Sequence, residues 1–186
     1  MTLGLAVVLV ACSSNGQPAV AGGESAQSLH GAMAMPPASG ATPGQGAEVG
    51  EVASGFSLAT LAGSTFHFPT GRPTAVWFTE NGCTSCIPKA QALDRIKAGF
   101  GQRLAVVGVD IAPGETEATF RAWIKQVGNP RFEFAMDRGS KVTLAWGVKD
   151  TSTIVITDAA GKVVYNSLEA ADEQTFRAAL STAGLK

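Results

Sequence analysis

Cys83 and Cys86, separated by Thr84 and Ser85, are the residues of this 186-residue sequence best placed by type and spacing to do chemistry. Two thiols three positions apart can close a disulfide, exchange it with another disulfide, or share a soft metal ion. In exchange the thiolate attacks and the thiol does not, so the surroundings that set a cysteine's pKa decide its reactivity. The third cysteine, Cys12, stands alone at the end of an N-terminal apolar run. The count divides into one cysteine for anchoring and two for redox work.

Other chemistries find little support. Fourteen basic residues face fifteen acidic ones, for a net charge of −1. With no basic stripe, nucleic-acid binding is not expected. A structural zinc site would need two more ligands, and His30 and His67 are not spaced to supply them, so no metal site is assigned. No Pro-x-x-x-Thr/Ser-x-x-Cys pattern marks a peroxidatic cysteine, and no cofactor is called for.

The elements that must position the pair follow from hydrophobic patterning. Phe56–Leu58 and Thr65–Phe68, around Ala62-Gly63-Ser64, form a short hairpin. Thr74–Thr79 is a β-rich run that stops at Asn81-Gly82, just before the cysteines. Ile87, Ala90, Leu93, Ile96 and Phe100 then repeat at helical spacing, with Gln91, Asp94, Arg95 and Lys97 on the other face. Leu104–Ile111 has the continuous apolar character of a strand buried on both faces. Phe120, Trp123, Ile124 and Val127 mark a second helix, ended by Gly128-Asn129-Pro130. A short strand at Phe132–Met136, a short helix at Lys141–Trp146 and a hairpin of Thr153–Thr157 with Lys162–Tyr165 follow. Phe176, Ala179, Leu180 and Ala183 close the chain as a last helix. The aromatic residues on these faces are core. Strands alternating with helices give an α/β fold, a mixed sheet covered on both sides by right-handed crossovers. A C-x-x-C at its strand-to-helix junction is a thioredoxin-like redox motif.

At a helix start, unpaired backbone N–H groups and the positive dipole end favour a thiolate. Cys83, nearest the turn and solvent, is the attacking residue. Cys86, one turn deeper on the same face, resolves the mixed disulfide. Thr84 and Ser85 add hydroxyls near the thiolate. Two further readings stay open at this point: a purely structural disulfide, which would constrain little chain, and metal transfer.

The N-terminus is organised around Cys12. Leu3–Ala11 has the length of a signal-peptide apolar region and is too short to span a membrane. Its end, Leu9-Val10-Ala11-Cys12, resembles the lipobox of bacterial lipoproteins, which implies lipidation of Cys12, although no Lys or Arg precedes the run. Residues 1–12 are thus expected to be a signal peptide, and 13–50, rich in Gly, Ala, Ser, Pro and Gln, a flexible tether. The domain runs from 51 to 186. Inside the tether, His30, Met33 and Met35 are ligand types suited to copper.

From about Val52 to Ala183 the chain resembles thioredoxin-fold proteins of the TlpA/ResA group. The likeness rests on four stretches: Ala75–Cys86, Val106–Asp110, Phe132–Asp137, and Trp146–Asp158 with Gly161–Tyr165. It implies a central mixed sheet flanked by helices, an N-terminal hairpin, and a helix–strand insertion between Glu115 and Met136. It also implies a monomeric, lipid-anchored, extracytoplasmic thiol–disulfide oxidoreductase of the cell envelope. Its partners would be exported protein thiols and disulfides, such as apocytochrome, and a membrane electron donor of thiol-reductase type. The alternative is a copper-binding metallochaperone that uses the pair with His30, Met33 and Met35. Four positions depart from the family pattern. Gly82 replaces the Trp before the first cysteine. Val76 is matched to the buried strand acid, which leaves Glu80 or water to move protons for Cys86. Pro88 falls early in the active-site helix, where it is expected to loosen the first turn. Thr151-Ser152 stands where the family has Thr and a cis-proline, so a trans bond is expected there.

Overall fold

The computed structural model describes residues 46–169 and 172–186. Cys12, His30, Met33 and Met35 lie outside them, as does most of the tether. Phe56–Ala59 (β1) and Thr65–Phe68 (β2) pair antiparallel as a separate two-stranded ribbon. The main sheet is built from Thr74–Thr79 (β3), Ala105–Asp110 (β4), Glu133–Met136 (β5), Ile154–Thr157 (β6) and Val163–Ser167 (β7). Its order is β5-β4-β3-β6-β7, with β3, β4 and β5 parallel and β6 and β7 antiparallel additions. The helices are Cys86–Phe100 (α1), Glu117–Gln126 (α2), Lys141–Ala145 (α3) and Glu173–Thr182 (α4).

Strand alternation divides the core into two layers. Ala75 and Trp77 of β3 point to one face, where they join Cys86, Ala90, Leu93 and Ile96 of α1, Phe120 and Trp123 of α2, and Phe176 and Leu180 of α4. Val76 and Phe78 point to the other, where the β1–β2 ribbon supplies Phe66 and Phe68 and the α3 end supplies Val142 and Trp146. Trp146 meets Phe56, Phe68 and Phe78 edge-on, with ring centroids 5.4, 5.0 and 5.9 Å away. Its indole N–H donates to the Ser54 carbonyl at 2.8 Å, so its one polar atom is satisfied. Most aromatic residues expected to be core are buried, while Phe56, Phe100, Phe132 and Tyr165 are partly buried and pack against the core's edge.

Among the described residues, packing includes Ala47, ahead of Glu51. Ala47 is buried, its N–H donates to Trp146 O at 2.9 Å and its carbonyl accepts from Asn166 Nδ2 at 2.7 Å. Composition alone could not locate that docking, because it runs through backbone groups that any residue carries.

Gly108, in the middle of β4, has its missing side chain filled by neighbours. A Cβ there would lie 2.7 Å from two ring carbons of Phe134 and 3.2 Å from Trp77. Phe134 is itself held between Phe120 and Phe132, so the ring cannot retreat without disturbing a neighbour. Gly108→Ala should therefore cost about 1–3 kcal/mol as an overpacked core site, read as a lower urea midpoint. An unchanged midpoint would mean the aromatic layer gives way freely.

Candidate active site

The cysteine pair sits where β3 hands over to α1. The chain leaves β3 at Thr79, turns through Gly82 at φ 84°, a left-handed value open to glycine, and enters α1 at Cys86. A Trp at this position would strain the turn, which is a physical reason for the departure at Gly82. Cys83 and Cys86 are disulfide-bonded, with Cα atoms 5.3 Å apart. Cys83 is partly exposed, whereas Cys86 is fully buried against the α1 side of the sheet.

The surroundings of Cys83 are rich in donors. The Thr84 and Ser85 amides donate no hydrogen bond among the described residues, so both are free at the start of α1. Ser85 Oγ lies 3.5 Å from Cys83 Sγ. Of the two hydroxyls singled out in the sequence, the Ser85 one is in reach. Pro88 is the third residue of α1. Its missing N–H falls among the first-turn donors that have no intrahelical acceptor, so it does not loosen the turn as expected.

The loop facing the pair is held tightly. Ser152 is buried at φ 72°. Its N–H donates to Phe78 O at 2.7 Å and its hydroxyl to Ser85 O at 3.3 Å. The one cis peptide bond among the described residues is Phe68–Pro69, so the bond before Ser152 is trans. Thr151, beside it, is half-buried and its backbone N–H and carbonyl make no hydrogen bond among the described residues.

The match of Val76 to the family's strand acid does not hold in the structure. Val76 faces the ribbon layer, and its neighbour Trp77 is on the Cys86 side. A shift of one residue changes the face, since side chains alternate along a strand. Neither residue titrates, so the strand supplies no acid under either assignment.

Ionisable groups come instead from two places that the sequence did not mark. Lys89, one turn after Cys86, is 2% exposed. Its ammonium donates to Ser152 O and Leu168 O, each at 2.7 Å, and burial lowers its pKa. The signal was its place within the apolar stripe of α1, between Cys86 and Leu93. Asp110 ends β4 opposite Thr79 and is 2% exposed. Burial, then a hydrogen bond and charge from Glu115 and the charge of Glu80, push its pKa up to about 7, against a hydrogen bond from the Ala112 amide. Glu115 Oε2 accepts the Asn81 amide at 3.1 Å, while Oε1 is buried and otherwise without a donor. A proton on Asp110 supplies that donor. Its sequence signal was an acid at the end of an otherwise apolar strand.

The raised pKa has a stability consequence. Between about pH 4, the usual unfolded carboxyl range, and about pH 7, the folded state keeps a proton that the unfolded state has released. Stability from this group is complete below that window and is lost as pH rises through it. Asp110→Asn should match the wild type at pH 4 and exceed it at pH 8 by about 1–2 kcal/mol. The difference is held to this size because Asp110 lines an open cavity of about 220 Å³, where water screens its charge. Urea denaturation from pH 4 to 8 tests this, and parallel curves for the two proteins would refute it.

Comparison with known proteins agrees with the topology. No family model matches the chain. A Streptomyces lividans protein described as mercury resistance operon ORF3 is 27% identical over 131 residues, covering 69% of each chain. The thioredoxin domain of a Bacteroides vulgatus thiol-disulfide oxidoreductase superposes with a TM-score of 0.63 at 17% identity, covering 73% of this chain and 98% of that one. A secreted disulfide oxidoreductase of Mycobacterium tuberculosis gives 0.58 at 20% identity, covering 68% and 95%. A thioredoxin-like protein of Aeropyrum pernix gives 0.58 at 25% identity, covering 69% and 89%. With its cysteine pair at the end of β3 and the start of α1, the chain has the thioredoxin-like fold.

Proposed function

We propose that this chain is an extracytoplasmic thiol–disulfide oxidoreductase acting on exported protein cysteines through Cys83 and Cys86. The observation that carries the reading is the asymmetry of the pair: a part-exposed Cys83 among free amides, bonded to a fully buried Cys86. In the reducing direction the Cys83 thiolate attacks one sulfur of a substrate disulfide and expels the other as a thiolate. Cys86 then attacks Cys83 Sγ, which releases the second substrate sulfur and leaves the Cys83–Cys86 disulfide. Two electrons pass to the substrate, and a membrane donor of thiol-reductase type returns them to the pair. The Thr84 and Ser85 amides and the Ser85 hydroxyl stabilise the attacking thiolate. The free backbone groups of Thr151 offer an edge on which an extended substrate segment can pair beside the cysteines.

Lipid attachment at Cys12, with residues 13 to about 45 as tether, would hold the domain at the membrane surface. No helix among the described residues is long and apolar enough to cross a membrane. The description of the Mycobacterium neighbour as secreted fits this location. The experiment that tests the exchange reading is capture of partners by a Cys86→Ser variant expressed in cells. The metallochaperone alternative gives no covalent partners there and tight Cu(I) binding by the reduced wild type.

A further inference from the structure

We infer that Lys89 is a positioning residue for exchange: its buried ammonium, set under the active-site turn, biases the Cys83–Cys86 pair toward the reduced, thiolate-bearing state. The inference rests on the exchange reading and deepens it.

A lysine ammonium is strongly hydrated, and removing it from water is costly unless charge or hydrogen bonds replace that hydration. Lys89 is 2% exposed and has two carbonyls as acceptors. No carboxylate pairs with it among the described residues: every salt bridge there is made by an arginine. A purely structural clamp between two carbonyls needs donors only, which a neutral amide side chain can supply. A full charge held in this place acts on other charges as well.

The charge that appears nearby is the thiolate. Lys89 lies three residues after Cys86, hence on the same helix face, and helical side chains lean toward the N-terminus, over the preceding turn. The hydrogen bonds agree with that direction. Lys89 Nζ holds the Ser152 carbonyl, and the Ser152 hydroxyl in turn holds the Ser85 carbonyl, next to Cys86. The ammonium is thus linked through a single residue to the turn that carries both sulfurs. In the disulfide form neither sulfur carries charge, and Lys89 has carbonyls alone as partners among the described residues. Reduction adds two electrons and two protons to the pair, and loss of one proton places a thiolate within the field of the ammonium.

The other charged groups around the turn are differently placed. Glu80 on the β3–α1 turn is half-buried, and Glu115 and Asp110 sit across it at the end of β4. Lys149 and Asp150 before Ser152, and Glu169 after Leu168, are exposed. The carboxylates oppose a thiolate and the exposed groups are screened by water. Among the described residues Lys89 is the fully buried cation, and it counters them.

Lys89→Gln keeps an amide donor for the carbonyls and removes the charge; Lys89→Met removes both. Each is equilibrated in glutathione buffers to read the fraction oxidised, and titrated by thiolate absorbance at 240 nm. We expect the exchange equilibrium of both variants to move about tenfold toward the disulfide, about 30 mV for two electrons. The thiolate titration should move to higher pH. A Gln variant with wild-type equilibrium and titration overturns the inference and leaves Lys89 as a clamp. If neither variant folds, the wild type still decides: the ¹³Cε signal of Lys89 must titrate at higher pH in the reduced protein than in the oxidised one, and coincident titrations overturn the inference. Failure of the exchange reading looks different, as a wild-type pair that does not equilibrate with glutathione at all.

Discussion

A Cys86→Ser variant should accumulate as covalent mixed disulfides with its substrates, and a Cys83→Ser variant should accumulate none. The two outcomes differ because the cysteines differ in access. Cys83 is partly exposed and has free amides and the Ser85 hydroxyl around it, so its thiolate can reach a substrate sulfur. Cys86 is fully buried in the α1 layer, so the sulfur it can reach is that of Cys83, within its own turn. Removing Cys86 leaves the first attack intact and deletes the step that releases the product. Removing Cys83 deletes the attack. Catalysed reduction of a model protein disulfide should fall at least about a thousandfold in Cys83→Ser, on the scale of losing a nucleophile. Cys86→Ser should also lose turnover while gaining stoichiometric capture, seen as thiol-sensitive high-mass bands on non-reducing gels. Equal trapping by both variants, or trapping by Cys83→Ser alone, would remove the assignment of Cys83 as nucleophile. No trapping by either, with tight Cu(I) binding, would favour the metal carrier.

The architecture was legible from periodicity because burial and backbone geometry impose it residue by residue. β3 reads Thr-Ala-Val-Trp-Phe-Thr and is buried throughout, as a strand covered on both faces must be. The four-residue strands and the five-residue α3 fell close to where turn residues and apolar spacing placed them. The cysteine pair was legible for the same local reason, since a C-x-x-C between a strand and a helix has one place to go. What escaped was long-range. Whether Val76 or Trp77 faces Cys86 depends on which way the strand enters the sheet, and matching by motif placed it one residue off. Lys89 and Asp110 carry no local mark of their partners. The carbonyls that hold Lys89 are 63 and 79 residues away. The Asn81 amide that meets Glu115 is 34 residues from it. A lysine in an apolar stripe and an acid at a strand end are signals that something compensates them, and only the fold names the compensation.

Proline placed at Ser152, where the resembled TlpA/ResA group has it, should damage this protein. Proline requires φ near −65°, while Ser152 sits at φ 72°. Proline also lacks the N–H that Ser152 donates to Phe78 O at 2.7 Å, in a position 2% exposed where water cannot replace it. The lost donor leaves a buried carbonyl short, at about 1–3 kcal/mol. The backbone conflict adds to this, so Ser152→Pro should lose about 3 kcal/mol or more. Ser152→Gly separates the two causes. Glycine adopts the same φ without strain and keeps the N–H, so the loss of the hydroxyl contact to Ser85 O is offset and stability should stay within about 1 kcal/mol of wild type. Both variants are compared by urea denaturation with the disulfide intact. A proline variant as stable as wild type would mean that the loop can re-form around a different backbone, and that the Phe78–Ser152 bond does not fix it. The same bond has a functional side. With Ser152 N–H and carbonyl taken by Phe78 and Lys89, its own backbone is closed to a partner. The substrate pairing proposed beside the cysteines is therefore left to the free backbone groups of Thr151 and not to those of Ser152. Exchange rates with a protein disulfide should consequently fall further in Ser152→Pro than its stability loss explains, measured at a temperature where both proteins are fully folded.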